Sequence, residues 1–349
     1  MSKPNHGSIM IVTLWILSIL SVMAAGMAFR LSLELCLNRN FLDQLSADSI
    51  AWAGLVRAEE AISKNQNDFD SILECGFRLE SGQKPEDIFK GVSLGGGSFS
   101  VQYDGPDGPI SGMSDEDRKI NLNIADEATL IAILTVAGNV KDPFLARQIA
   151  NAIIDWRDED HESSMQEGAE DYYYRGLPNA YECADRPFRT MEELMLVKGM
   201  TPEIFQKIEK AATVYGADGQ MKVNLNTASS TVIEVIGVAI GMGDVDAHRV
   251  AEHVVELRRG ADKKEGTLDD FVFGAADIAA LETRAAEVTR AIPPTLMPAF
   301  KNSFKSASSY YRIRSSAKMD NSPVVAVLEA VAKVEANKGR PSLVYFHRH

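Results

Sequence analysis

The hydrophobic pattern begins with an apolar run over residues 8–29 that contains no charged side chain and no proline. Roughly 20 apolar residues allow a helix to cross a bilayer, so the run predicts a membrane span or a signal sequence. Apolar residues then recur every three or four positions to about Asn65, again without proline: Phe41, Leu42, Leu45, Trp52, Leu55, Val56 and Ile62. This spacing predicts one helix with an apolar first half and an amphipathic second half. The alternative is an ordinary signal peptide that ends at the small residues of 23–26.

Strand patterns lie on both sides of a long helical region. Residues 65–92 predict a short helix with loops, and residues 98–103 alternate as a strand before a Pro/Gly turn. Helices and short turns follow from Lys119 to about Ile292, where the prolines of IPPTLMP are expected to stop the last helix. Three further strands are predicted, over residues 308–318, 322–336 and 342–349, with a turn at 337–340. The pattern therefore predicts an α+β protein in which a helical block is inserted into a small sheet.

The helical block contains an internal duplication. Three pairs of segments match: 120–134 with 223–237, 146–157 with 247–258, and 190–194 with 267–271. Each unit opens with an Asn-Leu-Asn turn, in which Asn123 or Asn226 is expected to cap a helix or to bond local backbone. The units resemble helix-hairpin-helix modules, which often hold DNA. Neither hairpin tip offers a basic cluster, so helices that pack protein are favoured over helices that bind DNA.

Composition limits the possible partners. The chain has 349 residues with 45% hydrophobic content, which is enough for a sizeable core and two domains. Its net charge is −13. The acidic excess argues against nucleic acid or anionic lipid as the main partner, because both attract clustered Lys and Arg. Of the three cysteines, Cys36 follows the apolar run. Cys75 and Cys183 could pair in an oxidising compartment or remain two free thiols, and both alternatives stay open.

The two repeats differ by an acidic insertion. Asp155 and Thr190 lie 35 positions apart, whereas the matching Glu256 and Thr267 lie 11 apart, so the first repeat carries about 24 extra residues. Residues 158–187 hold nine acidic side chains against two Arg. Such crowding suits Ca²⁺, which takes six to eight oxygen ligands, although a solvated acidic loop is equally consistent with the run alone. Zinc is not expected here, because neither His nor Cys recurs at the spacing that zinc requires.

The amino-terminal segment resembles the prepilin-like proteins of type IV pili and type II secretion. A short polar leader ends at Gly7, and the apolar helix starts directly behind it. In that family a prepilin peptidase cuts after the glycine, which would leave Ser8 as the mature amino terminus. Most members carry Glu at the fifth mature position. That position is Val12 in this chain.

The sequence around the acidic loop narrows the resemblance. DWRDEDHESSMQEGAEDYYY, then FRTMEELMLVKGMTPEIFQKIEKAATVYG and VNLNTAS, are similar to the signature of the type II secretion system protein K family of minor pseudopilins. The resemblance implies a pilin-like fold, with a long helix on a small antiparallel sheet, interrupted by an all-helical domain. It also implies Ca²⁺ at the acidic loop, with Asp158, Asp160, Glu170 and Asp171 as ligands. Glu167 is a further candidate, although it lies in a spacer that is not a fixed part of the signature.

The same resemblance implies an organisation and a location. The expected segments are a leader (1–7), the membrane part of the long helix (8–29), a first pilin-like part (30–118), the inserted helical domain (119–292, acidic loop 158–187) and closing strands (293–349). The chain would cross the inner membrane once, with its head in the periplasm. Its expected partners are minor pseudopilins I and J at the pseudopilus tip, the major pseudopilin, the prepilin peptidase and the inner-membrane assembly platform.

An enzymatic role is not expected from the sequence. The six histidines are scattered and none lies in a recognisable catalytic motif: His6, His161, His248, His253, His347 and His349. The glycine cluster LGGGSFS lacks the lysine of a phosphate-binding loop. A structural assembly protein is therefore favoured. The second hypothesis is a membrane-anchored extracytoplasmic helix-hairpin-helix protein that binds DNA in a competence or type IV pilus system, and salt-sensitive DNA retention would distinguish it.

Overall fold

The computed structural model describes residues 6–163, 168–216, 219–281, 290–335 and 340–349, with side chains from residue 9 onward. Its first element, α1, is a single helix over His6–Lys64, as the apolar periodicity predicts. The first half of α1 is long and apolar enough to cross a membrane, and its side chains are not buried by the rest of the chain. The helix is therefore compatible with a single-pass membrane anchor.

The second half of α1 packs on an antiparallel sheet. The helix α2 (Pro85–Phe89) precedes the sheet, whose main strand order is β1-β2-β9-β10-β11. Two short strands lie off this path, because β3 pairs with β2 and β4 pairs with β9. The strands are β1 (Val92–Leu94), β2 (Gly97–Gly105), β3 (Gly108–Ser111), β4 (Ser114–Asp115), β9 (Tyr310–Met319), β10 (Val325–Lys333) and β11 (Ser342–Arg348). The predicted strands at 98–103 and near the carboxyl end are confirmed, whereas the predicted turn at 337–340 lies mostly outside the described residues.

The helical region enters and leaves the sheet at one place. Strand β4 precedes it, and β9, the partner of β4, follows it. Its helices are α3 (Glu127–Val136), α4 (Pro143–Arg157), α5 (Asp171–Arg175), α6 (Pro202–Ile208), α7 (Ser230–Ala239), α8 (Asp244–Arg258), α9 (Ala275–Ala279) and α10 (Met297–Asn302), with a 3-10 turn at Met191–Leu196. Four two-residue strands form two parallel pairs: β5 (Ile120–Asn121) with β6 (Ala212–Thr213), and β7 (Val223–Asn224) with β8 (Phe304–Lys305).

The described residues form two separate hydrophobic cores. One lies between α1 and the sheet, and the other lies among the helices of the inserted region. The expectation that IPPTLMP stops the last helix is wrong, because α10 follows and its Met297 and Phe300 join the helical core. Helical packing therefore continues past Ile292 to Phe304.

The buried cysteines belong to different cores. Cys75 lies in the core under the sheet, and Cys183 lies in the helical core. All three cysteines are free thiols in the described part of the chain. The possible pairing of Cys75 with Cys183 is therefore not found, because each thiol packs among the side chains of its own core.

The duplication is visible in three dimensions. The helix pair α3 and α4 of the first repeat matches α7 and α8 of the second. The last arginine of each second helix donates to two carbonyls near the opening turn: Arg157 to Leu122 and Ala125, and Arg258 to Leu225 and Ala228. These equivalent bonds join the end of each helix pair to its beginning.

The role predicted for Asn123 and Asn226 is wrong. The helix caps are Asp126 and Ser229, whose side chains accept from backbone N–H groups in the first helical turn. Asn123 Nδ2 instead donates to the carbonyls of Phe188 and Val214, and its Oδ1 accepts from the Phe188 N–H. Asn226 makes the corresponding bonds to Phe273 and to the Ser306 carbonyl. Each asparagine therefore connects segments distant in sequence, because its amide reaches away from the local turn.

Candidate metal centre in the acidic loop

The acidic loop starts where α4 ends. Asp158 is the C-cap residue of α4, and its N–H donates to the Ile154 carbonyl. One turn earlier, the fully buried Asp155 accepts from the Ala169 N–H at 2.7 Å through Oδ2. A Cβ at the neighbouring Gly168 would lie 1.9 Å from the same oxygen, so a larger residue cannot follow this path without a shift. The returning arm of the loop is thus held against the end of α4.

Aromatic side chains support the other end of the loop. Trp156 contacts Tyr174 of α5 edge to face, with ring centroids 5.2 Å apart, and stacks against Phe188 at 6.4 Å. Tyr174 is fully buried and also packs on Tyr181. Because these rings fix α5 beside α4, the residue at the N-cap of α5 has a defined position. That residue is Glu170.

Four carboxylates and one imidazole meet between the two helix ends. Asp158, Asp160 and Glu170 each place one oxygen within 4.8 Å of the others, and Glu170 forms a second such group with His161 and Asp185. Glu170 is only 7% exposed. Neither of its carboxylate oxygens has a hydrogen-bond partner among the described residues, and the same holds for Oδ1 of Asp158 and of Asp185. These buried, unpartnered oxygens belong to the two groups that share Glu170.

Burial, together with the neighbouring negative charges, raises the pKa of two of these carboxyl groups, Glu170 and Asp158. Burial, followed by the charges of Asp155 and Asp185, raises the pKa of Glu170 to about 7. Burial and the Asp160 charge raise the pKa of Asp158 to about 6. Buried oxygens without a partner cost roughly 1–3 kcal/mol each, and a bound cation would remove both that cost and the repulsion. A donor set made mostly of carboxylate oxygens fits a hard cation such as Ca²⁺.

The structure brings together three of the five residues that the sequence suggests as ligands. Asp158, Asp160 and Glu170 converge. Asp171 lies apart from them: its Oδ1 accepts from the Cys183 N–H and its Oδ2 pairs with Arg175, both at 2.8 Å. Glu167 lies outside the described residues. The two residues of the expected processing site, Gly7 and Ser8, fall in the first turn of α1.

Two members of the group, Asp185 and His161, were not predicted as ligands from the sequence. Asp185 has a backbone φ of +46°, which places it in the left-handed region, and its Oδ2 lies 3.2 Å from Nδ1 of His161. The only sequence signal for Asp185 was its membership of the acidic run. His161 gave no signal, because a single histidine inside a loop has no periodic partner.

Known proteins resemble this chain in sequence. A family model described as type II secretion system (T2SS), protein K, matches residues 119–217, which include the acidic loop. The type II secretion system protein K of Aeromonas hydrophila is 28% identical over 241 residues, covering 64% of this chain and 68% of that protein. The protein of the same name from Pseudomonas aeruginosa is 24% identical over 278 residues, covering 78% and 77%.

A solved structure shares the fold. It is a chain of the GspK-GspI-GspJ complex from the type 2 secretion system of enterotoxigenic Escherichia coli. The TM-score is 0.59 at 17% identity, and the match covers 92% of this chain and 99% of that one. The predicted pilin-like fold with an inserted helical domain agrees with this match, and the DNA-binding alternative gains no support. In sequence and in fold, the chain is therefore similar to the type II secretion system protein K family of minor pseudopilins.

Proposed function

We propose that this protein caps the tip of the periplasmic pseudopilus and helps to start its assembly for the export of folded proteins. In this proposal α1 anchors the chain in the inner membrane, the head lies in the periplasm, and the protein is a structural component rather than an enzyme. Minor pseudopilins I and J are the immediate partners, because the solved structure that shares the fold is a complex of GspK with GspI and GspJ. The major pseudopilin and the assembly platform would act beneath them.

The position at the tip rests on one feature of α1. Val12 stands where most pilin-like proteins carry a glutamate, and its side chain is exposed on the apolar half of α1. In a filament the glutamate of one subunit is thought to neutralise the terminal amine of its neighbour. An unpaired charge in apolar surroundings costs several kcal/mol. A subunit with valine offers no such carboxylate to a subunit above it, although its own amine can still be paired from below.

The partners are tested by co-purification. Full-length tagged protein would be produced with minor pseudopilins I and J of its own operon, extracted in detergent and separated by size. We expect one complex that contains all three proteins, whereas an unrelated single-pass protein with the same tag should retain neither. If I and J bind each other but leave this chain behind, the proposed assembly is wrong.

Processing can be tested on the same material. We expect the mature protein to begin at Ser8, because a peptidase that cuts after Gly7 removes only the polar leader. Amino-terminal sequencing of the membrane form gives the answer directly. A start near Gly26 would show an ordinary signal peptide and would remove the membrane anchor from the proposal.

We further propose that the acidic loop holds Ca²⁺. Asp158, Asp160, Glu170 and Asp185 would supply oxygens, and Asp171 would act indirectly by holding α5 through Arg175 and Cys183. A ligand that binds only the folded state stabilises it by RT ln(1 + [L]/Kd), about 2.7 kcal/mol at 100 times Kd. We therefore expect a chelator to lower the melting temperature of the full-length protein and added calcium to restore it.

A variant pair makes the calcium test specific. Glu170→Gln removes the charge of a buried candidate ligand and should abolish most of the calcium-dependent shift in melting temperature. Glu182→Gln is the matched control, because Glu182 lies on the same loop but is 72% exposed and pairs with Arg175. A calcium shift of the same size in both variants would contradict the site.

A further inference from the structure

Two histidines lie on one face at the carboxyl-terminal end of β11: His347 is in the strand, and His349 directly follows its last residue, with its N–H donating to the Val327 carbonyl of β10. His347 and His349 are two residues apart, a spacing that diverges on a helix but converges on a strand, where side chains alternate between faces. Phe346 lies on the opposite face and contacts Trp52 of α1, with ring centroids 5.4 Å apart. The histidines therefore lie on the side of the sheet that faces away from α1.

A glutamate on the neighbouring strand completes a three-residue cluster. In the register between β10 and β11, Glu329 is directly opposite His347. Oε2 of Glu329 lies 3.5 Å from Nε2 of His349, and the two imidazole centroids are 4.5 Å apart with planes at 79°. Both histidines are exposed. His347 stacks beside Tyr345, with ring centroids 6.5 Å apart. A rotation of the exposed imidazoles about their side-chain bonds would bring two imidazole nitrogens and one carboxylate oxygen to a common point.

We propose that Glu329, His347 and His349 form a binding site for a first-row divalent transition metal, with Zn²⁺ as the representative ion. Two imidazoles and one carboxylate are a known donor set for zinc, which bonds such atoms at about 2 Å and leaves a fourth position open. The nitrogen donors separate this site from the acidic loop, whose oxygen-rich donor set suits Ca²⁺. The metal would join the edge strand β11 to β10 at its carboxyl end.

The surroundings orient the carboxylate and also limit the affinity. Arg312 donates through Nη1 to Oε1 of Glu329 and through Nε to Glu116, so Oε2 is the oxygen turned towards the histidines. A bond to the second oxygen fixes a ligating carboxylate in position. Arg312 is nevertheless a cation, and Arg314 is the register partner of Glu329 on β9. Because both positive charges oppose a bound cation, we expect micromolar rather than nanomolar binding.

The test uses the full-length protein in detergent, stripped of metal and then kept in excess Ca²⁺ so that the acidic loop does not take up zinc. Zn²⁺ alone is titrated in by isothermal calorimetry. We expect one zinc ion per chain in the wild type, and at least about tenfold weaker binding in His347→Ala and in His349→Ala. Glu329→Gln, which keeps an oxygen for Arg312, should also weaken binding.

Two controls separate this site from other histidines. The double variant His248→Ala/His253→Ala removes histidines of α8, and His161→Ala removes the imidazole of the acidic loop. Both should bind zinc at the β11 site like the wild type. Circular dichroism checks that each variant is folded, which is expected because the altered histidines of β11 are exposed. The proposal is overturned if wild-type binding is weaker than millimolar, or if zinc binding survives unchanged in His347→Ala and His349→Ala.

Discussion

At the scale of single residues, Asp115 is a buried carboxyl group outside the acidic loop whose pKa is raised. It is 1% exposed, at the point where the chain passes from the sheet into the helical region. Its Oδ2 accepts from Asn224, Thr227 and Ser308, while Oδ1 has no partner among the described residues. Burial, followed by the charge of Asp117, raises the pKa of Asp115 to about 7.

The surroundings of Asp115 contain few compensating charges. Asp70 adds a further negative charge, and Asp117 is paired with Lys305 at 2.8 Å. The Cys75 thiol lies near the same carboxylates, and they raise its pKa further above the effect of burial, while Arg118 lowers it. The group as a whole therefore favours a protonated Asp115, because ionisation would add another charge to a buried acidic cluster.

We predict that Asp115→Asn reduces the pH dependence of stability. A carboxyl with an ordinary pKa of about 3.9 when unfolded and about 7 when folded binds an extra proton in the folded state between these values. Its contribution to stability is therefore complete below about pH 4 and is lost as pH rises through about 7. Asn cannot titrate, so the slope between pH 4.5 and 7 should change by up to about 1.4 kcal/mol per pH unit.

Melting temperatures at several pH values, with Ca²⁺ held in excess, measure this slope. Asp104→Asn is a suitable control, because Asp104 is exposed near the end of β2, where it pairs with Pro109 of β3. The control should keep the slope of the wild type. An unchanged slope in Asp115→Asn would mean that this carboxyl is ionised in the folded protein across the range.

The candidate metal site shows how far single residues can be predicted from sequence. Asp158, Asp160 and Glu170 were named because they belong to a dense acidic run, and the structure brings them together. Asp171 belongs to the same run, but its direction depends on Arg175 and Cys183, which no local pattern specifies. Likewise, the sequence places His347 and His349 on one face of a predicted strand. It does not show that Glu329 of β10 lies opposite His347, because that depends on the strand register.

At the scale of elements, periodicity predicted the existence of α1 better than its packing. The apolar residues that suggested an amphipathic half include Trp52 and Val56, which remain partly exposed. The face buried against the sheet includes the predicted Leu55 and Ile62, but half of it is formed by the small residues Ala47, Ala51 and Ala58. Small side chains allow a close approach of helix and sheet. A pattern based on hydrophobicity alone favours the larger residues instead.

We predict that Gly54→Ala destabilises the contact between α1 and the sheet. The new Cβ would lie 2.2 Å from Oγ of Ser315 and 2.8 Å from the ring of Phe99. Ser315 is fully buried and donates to the Ala51 carbonyl at 2.7 Å, so it has little room to move. Overpacking costs about 1–3 kcal/mol, whereas the better helix propensity of Ala returns only about 1 kcal/mol.

A contact as short as 2.2 Å places the overpacking cost at the upper end of that range, about 2–3 kcal/mol. The net loss should then be about 1–2 kcal/mol, measurable by chemical unfolding of the full-length protein. Ser49→Ala is the control on the same helix, because Ser49 is exposed and bonds only to the Leu45 carbonyl of α1 itself. The control should differ little from the wild type. Equal stability of Gly54→Ala and wild type would show that the sheet can move away from α1 at little cost.

In the two repeats, the helices follow from local sequence patterns, whereas the hydrogen bonds between distant segments do not. Sequence similarity aligned α3 with α7 and α4 with α8, because amphipathic periodicity is a property of each helix. The partners of Asn123, however, lie 65 and 91 residues further along the chain. Such a bond can be found only after the fold is known. The helices were therefore predictable, whereas the bonds that join the two ends of each repeat were not.

At the scale of the whole molecule, the chain enters and leaves the helical region at neighbouring positions of the sheet. Asp115 pairs with Tyr311, and the Glu116 N–H donates to the Tyr310 carbonyl at 3.0 Å. The two ends of the inserted region therefore lie side by side at the edge between β4 and β9. A short loop could join them after removal of residues 119–305, since an antiparallel pair is normally closed by a hairpin.

This geometry allows a test of capping in which each proposed obstacle is removed separately. We predict that the wild type, produced as the only pseudopilin, forms no long filaments, because Val12 offers no carboxylate and the helical region would obstruct a subunit above it. Val12→Glu should be folded and inserted but should still form none, because the bulk remains. Deletion of residues 119–305 should allow short filaments to form, because the bulky helical region is gone. Its combination with Val12→Glu should give the longest filaments.

Electron microscopy of material sheared from the cells measures filament length in each case. Val22→Glu in the deletion background is the matched control, because Val22 is also exposed on the apolar half of α1 but lies ten positions from the place where a neighbouring amine would be met. Val22→Glu adds the same charge but cannot pair with the terminal amine of a neighbouring subunit. The unpaired carboxylate is costly in apolar surroundings, so this variant should form shorter filaments than the Val12→Glu combination. Long homopolymers of the wild type would show that neither the missing glutamate nor the inserted helices stops growth, and the protein could then extend a filament as well as end one.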